Sequence, residues 1–309
     1  MKRVISHPRI TSGMSLKEFL NSFSCIAFGA SRVYEAIEIY SEALKENSHV
    51  SFGLAGAMVP AGLRTIISDL IYDGMIHSIV LTGANAVHDI LEALRLPHYH
   101  DFEAESDAAL REAGINRIFD IFVPNSHFQK LEEFLLDIFS DLPEKTDFIE
   151  VLRKIAENIE DRNSILRAAY ESGALLLCPG LMDSMIGLHL WLSSSSKRYV
   201  DVTAELRALS QRIHESDRNA AIFIGGGLPK NFILQSMLIS SKDGFDYAIQ
   251  ITTDSPQWGG LSGATLEEAK SWGKVKKSAR CVTVYGDATI VFPLVVAGLR
   301  IRMEECHEI

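Results

Sequence analysis

Apolar and polar residues alternate along this chain in two rhythms. Over residues 15–44 the spacing is helical. Leu16, Phe19, Leu20 and Phe23 share a face after a cap at Ser15, and Val33, Ile37 and Tyr40 share a face of a second run opening at Ser31. From His49 the rhythm changes. Short apolar runs at 49–55, 77–82, 174–178, 220–224, 247–253 and 282–285 read as buried strands. Helical patterns lie between them at 60–72, around His88 and Asp89, at 128–139, 148–158, 165–172 (closed by Gly173) and 201–215. A last helix, 288–303, is apolar on most sides and calls for cover, with a second subunit as one source. This alternation predicts an α/β fold, a Rossmann-like and mostly parallel sheet flanked by helices. The whole chain, 1–309, reads as one such domain.

Ligands of such sheets gather where strands end and helices begin. Small residues stand at those points: Gly53, Ala55, Gly56 and Ala57, then Gly83 and Ala84 after Thr82. They allow a cofactor to approach the backbone, or they are tight turns. Gly225-Gly226-Gly227 follows a strand and leads through Leu228-Pro229-Lys230-Asn231 into a helix, a local recipe for holding a pyrophosphate on backbone N–H groups. It is neither GxGxxG nor a P-loop. Asp183, at another strand end, reads as a ribose or amide partner or as the N-cap of the next helix.

Composition narrows the function. The chain has 309 residues, 47% hydrophobic and 23% charged, with a net charge of −10. That balance gives a nucleic-acid binder little electrostatic support. Cys25, Cys178, Cys281 and Cys306 are scattered without CxxC spacing, against a zinc site or a secreted disulfide framework. The basic start lacks an apolar segment and no run approaches a membrane span, so a cytoplasmic protein is expected. His88, His98 and His100, with Asp89 and Asp101, invite a metal reading, but H-x9-H-x-H fits no zinc pattern and no metal is expected.

The candidate reactive stretch is Ser271-Trp272-Gly273-Lys274. It follows the glycine-rich loop 259–263 and a short helical run, 264–270, so that Glu268 and Lys274 lie near each other across the helix end. A lysine becomes a nucleophile where apolar walls or other cations lower its pKa. Trp272 is the candidate wall, and Lys270, Lys276 and Lys277 the candidate field. Composition alone favours a solvated surface lysine.

The run Glu267-Glu268-Ala269-Lys270-Ser271-Trp272-Gly273-Lys274, followed by Val284-Tyr285-Gly286-Asp287-Ala288-Thr289-Ile290-Val291-Phe292-Pro293-Leu294, resembles the C-terminal signature of the deoxyhypusine synthase family. Residues 110–118 with Val123-Pro124-Asn125 resemble it too, and the likeness extends over roughly 15–303. The resemblance implies an NAD-dependent transfer of the aminobutyl group of spermidine to a lysine of the hypusine-bearing translation factor precursor, through an enzyme-lysine imine. It implies Lys274 as the nucleophile, with Thr82, Gly83, Asp183, Gly226, Gly227, Thr253, Gly286 and Asp287 as cofactor residues. Glu268, Trp272 and Asn231 take the amine side. A homotetramer in the cytoplasm is also implied. Several positions depart from the family. Asn231 stands where eukaryotic members have a histidine that assists proton transfer, and an amide cannot act as a base. Leu188, Leu261 and Trp258 replace acidic residues, His88 replaces a glutamate, and Gly56-Ala57 replaces Ser-Asn. Two further readings follow: transfer to a small amine, as in homospermidine synthesis, and a non-catalytic NAD-binding paralogue.

Overall fold

The computed structural model describes residues 4–100, 106–193 and 198–307. Six strands carry the principal pairing: β1 (His49–Leu54), β2 (Ser78–Leu81), β3 (Leu175–Leu177), β4 (Asn219–Ile224), β5 (Phe245–Thr252) and β6 (Val275–Tyr285). The helices that matter for the site are α1 (Gly29–Lys45), α2 (Gly83–Ala93), α3 (Met185–Leu192), α4 (Gly227–Ile239), α5 (Leu266–Ser271) and α6 (Ala288–His307). By compactness the chain divides into two units, one of residues 1–53 with 209–309 and one of residues 54–208.

In the first unit β5 runs parallel to both β4 and β6, with Ile251 opposite Ile224 and Thr252 opposite Tyr285. Every residue of β4 is buried, and all but one of β5, which explains why both read as continuous apolar runs. β6 is longer than its apolar signal, 282–285. Its first half carries Lys276, Lys277 and Arg280, and Lys277 and Arg280 lie exposed at the outer strand. Charged residues there also protect an outer strand from unwanted pairing. Phe52 meets Phe292 with ring centroids 5.7 Å apart, and both are fully buried. α6 packs against α1 and β5 inside this unit, with Phe292, Val295 and Leu299 buried and Ile290 exposed.

In the second unit β2 and β3 pair in parallel, Val80 opposite Leu177. The polar stretch near residue 100 builds a small antiparallel sheet from Tyr99–His100, Ile121–Pro124 and Ile115–Ile118. The helix Phe148–Glu157 buries Phe148, Val151, Leu152 and Ile155, so the charged region around it is packed structure. One buried polar cluster organises the unit. Asp89 on α2 accepts from Arg64 Nε at 2.6 Å, Ser164 Oγ at 2.7 Å, Ile165 N at 3.1 Å and Leu166 N at 3.0 Å. It thereby satisfies the N-terminus of the helix Ile165–Ser172. The expected α/β fold with parallel strands and flanking helices is what the chain adopts.

Candidate functional site

The Ser271-Trp272-Gly273-Lys274 stretch is the C-terminal stop of a short helix. Thr265 caps the start of α5, its Oγ1 accepting from Glu268 N at 3.0 Å. At the other end Gly273 takes a left-handed conformation, φ 68°, which a side chain would strain. Gly273 N donates to Lys270 O at 3.1 Å and Lys274 N to Ala269 O at 3.0 Å, the paired bonds of a Schellman motif. Lys274 O then accepts from Phe245 N at 3.0 Å, tying the motif to β5. The turn folds Lys274 back over its neighbour: Nζ lies 5.6 Å from the Trp272 ring centroid.

Lys274, Trp272, Glu268 and Asn231 line one cavity of about 330 Å³, together with Leu234 and Leu261. The candidate nucleophile and the three residues expected on the amine side are thus brought together. Glu268 is the one carboxylate lining the cavity among the described residues. Two of the three lysines expected as a cationic field around Lys274 are paired with carboxylates. Lys270 pairs with Glu267 at 2.9 Å, and Lys276 with Asp246 at 2.8 Å and Asp243 at 3.1 Å. Their charges are matched locally, as expected for long cations beside acidic neighbours. A second lysine does line the cavity: Lys230, buried on α4, which the sequence reading passed over. Burial pushes its ammonium down to about 8, against an opposing pull from Glu268. A helix start rich in glycine and proline gave no sign that a charged residue there faces inward.

The cofactor candidates of the first unit sit side by side. Register places Gly225 after β4, Thr253 after β5 and Gly286-Asp287 after β6, at the carboxyl ends of three neighbouring parallel strands. A Cβ on Gly226 would come within 2.4 Å of Ser262 Cα, so this position admits only glycine without movement of the 262 backbone. The N–H groups of this turn are partly engaged: Gly225 N donates to Ile251 O at 2.8 Å and Gly227 N to Ser262 Oγ at 3.1 Å. Asp287 accepts from both N and Oγ1 of Thr289 at 2.7 Å, which holds its carboxyl below the usual range.

In the second unit Thr82 caps α2, its Oγ1 accepting from Asn85 N at 3.4 Å and also from Asn85 Nδ2 at 2.9 Å. Gly83 is buried so tightly that a Cβ would meet Ser184 Cβ at 2.4 Å. Asp183 is exposed and is not the helix cap. Ser184 takes that role, its Oγ accepting from Gly187 N at 3.3 Å, because its side chain lies one residue nearer the first helical N–H groups. Among the described residues no group of three His, Cys, Asp or Glu side chains could hold a metal, and Asp101 lies outside them. His88 instead bonds His98 at 2.7 Å, which bonds Glu92 at 2.6 Å. Burial, reinforced by His98, pushes His88 down to about 4.

Parallel strands ending in a glycine turn, beside a cavity lined by lysine, an aromatic ring and one carboxylate, define an α/β protein. The chain belongs to the deoxyhypusine synthase family. The family model for deoxyhypusine synthase matches residues 18–299. A Methanosarcina acetivorans protein named probable deoxyhypusine synthase 1 is 48% identical over 300 residues, covering 96% of this chain and 94% of the relative. Another of that name, from Archaeoglobus fulgidus, is 44% identical over 304 residues, with 98% and 99% covered. A crystal structure from Entamoeba histolytica that carries the deoxyhypusine synthase name shares the fold, with a TM-score of 0.65 at 19% identity, over 96% of this chain and 97% of that one. Membership makes the chain an enzyme of transferase type. No described helix is long and apolar enough to cross a membrane.

Proposed function

We propose that the chain transfers the aminobutyl group of spermidine to a lysine of the hypusine-bearing translation initiation factor 5A precursor, with NAD as cofactor and an imine on Lys274. The observation that carries this reading is the shared cavity: a lysine amine, an aromatic face and a carboxylate converge on a space sized for a slender amine. Bound NAD supplies a hydride acceptor, the oxidising power that makes an amine carbon electrophilic. This chain's residues do the rest. Glu268 attracts the donor's ammonium, Trp272 screens it from water on one side, and Lys274 presents the amine that takes up the four-carbon unit. Asn231 orients by hydrogen bonding and cannot take up a proton. Small residues and an acidic side chain at three adjacent strand ends fit a dinucleotide, with Gly226, Gly227, Thr253, Gly286 and Asp287 as the residues that would hold it. Thr82, Gly83 and Asp183 carry the same expectation for the second unit. A homotetramer in the cytoplasm completes the proposal.

One observation favours a second reading, transfer to a small amine such as putrescine. Leu261 lines the cavity where the family resemblance expects an acid, leaving Glu268 alone to attract a tri-cation. Incubation with NAD and spermidine, borohydride reduction and peptide mass spectrometry tests the chemistry. A four-carbon amine adduct on Lys274, absent in Lys274→Arg, is expected. Adding either the factor precursor or putrescine before reduction then identifies the acceptor as the one that discharges the adduct. No adduct with NAD still bound would sink both readings and leave a binding protein.

A further inference from the structure

Two buried polar side chains lie between the glycine turn and the segment 261–264 beside the lysine cavity. Lys230, 3% exposed, points Nζ at Gln250 Oε1 (3.0 Å), at Leu261 O (3.3 Å) and at Ala264 O. Gln250 on β5, 1% exposed, completes the arrangement from the other side. Its Nε2 donates to Gly225 O at 3.0 Å and to Ser262 O at 2.8 Å. Ser262 Oγ in turn receives Gly227 N at 3.1 Å. Three of these six bonds join the turn 225–227 or its helix directly to the segment 261–264, and the other three connect them through Gln250. That segment runs directly into the Thr265 cap of α5.

An ammonium with three oxygen acceptors has no lone pair to offer, so this lysine is not arranged as a base or a nucleophile. A methionine would fill the same volume without a buried charge, which is costly to keep. What the charge adds is grip on two backbone carbonyls. We propose that Lys230 is a positioning residue: with Gln250 it clamps the glycine turn to the segment carrying Glu268, Trp272 and Lys274. The cofactor side and the amine side of the cavity thereby stay aligned during transfer. This inference rests on reading Lys274 as the imine-forming lysine.

The test compares full-length wild type with Lys230→Met, Gln250→Leu and the double variant, by hydrogen exchange and by the rate of borohydride-trapped adduct formation. Exchange in 225–227 and 260–273 should quicken about tenfold or more in each single variant, and no further in the double. Glu268 and Trp272 travel with Lys274 on one helix end, so the spermidine KM should stay within about threefold while kcat falls about tenfold or more. A merely structural lysine would loosen the whole first unit and leave the ratio of kcat to KM losses unpatterned. Unchanged exchange in Lys230→Met overturns the proposal, as does a double variant whose losses multiply. A wild type that traps no adduct overturns the reading of Lys274 instead, and the exchange arm then still decides the clamp. Should Lys230→Met fail to fold, Gln250→Leu carries both measurements.

Discussion

Lys274 Nζ stands 5.6 Å from the centre of the Trp272 ring, two residues away, because Gly273 between them turns the chain left-handed. Trp272 is 64% exposed, so the contact is worth about 0.5–1 kcal/mol rather than the larger value of a dry site. Trp272→Ala should therefore lower adduct formation at Lys274 about two- to fivefold, and Trp272→Phe less. Trapped-adduct rates at saturating NAD check this. A loss above a hundredfold would mean that Trp272 shapes the cavity and does more than wall it.

Leu261 offers the complementary gain. A second carboxylate beside Glu268 should favour a tri-cation, so Leu261→Asp is expected to lower the spermidine KM about tenfold, or about 1.4 kcal/mol. The gain should shrink as salt rises, since Leu261 is half exposed and screening reaches it. The KM measured at low and high salt decides; an unchanged KM would place the amine elsewhere in the cavity.

Asp89 should prove the least replaceable polar residue for stability. It is fully buried and serves Arg64, Ser164 and two backbone N–H groups at once. Asp89→Asn keeps the volume but turns a donor toward donors and leaves Arg64 with Asp161 as its remaining carboxylate. A loss of about 3–5 kcal/mol in urea unfolding is expected.

Glu205 makes stability fall with pH. Its Oε1 accepts Cys178 N, while burial, aided by Asp147, pushes its carboxyl up to about 7 from 4.5. Between those values the unfolded chain has released a proton that the folded chain still holds, so raising the pH favours unfolding. Relative to Glu205→Gln, wild type should lose up to about 3 kcal/mol from pH 4.5 to pH 7, and nothing further above it. Urea midpoints of both proteins across that range are the check.

Much of this was legible in the residues because burial and periodicity coincide where the fold is built. β4 and β5 are buried almost end to end and apolar except at Asn219, Asp246, Gln250 and Thr252, and the helix Ile165–Ser172 was placed to the residue by its spacing and by Gly173. Where charge and burial part company, the sequence misleads. The first half of β6 has just one buried residue, Val275, among residues 275–281, so no period-two signal survives its lysines and arginine. Lys230 fails in the opposite sense: a charged residue whose carbonyl partners, Leu261 and Ala264, lie some thirty positions away, where local pattern carries no information. The Trp-Gly-Lys motif was found as chemistry, yet its geometry is that of a helix stop.

The contact between Gly226 and Ser262 has a consequence for how this enzyme can vary. A methyl group at 226 would stand 2.4 Å from Ser262 Cα, so it must push the 262 backbone, and the push arrives at the segment that lines the lysine cavity. A substitution meant to change the taste for one dinucleotide over another would then be felt as a change of diet in amines. On the proposed function, specificity for the two ligands is inherited jointly, and libraries that diversify one loop while freezing the other would search a landscape with most of its paths blocked.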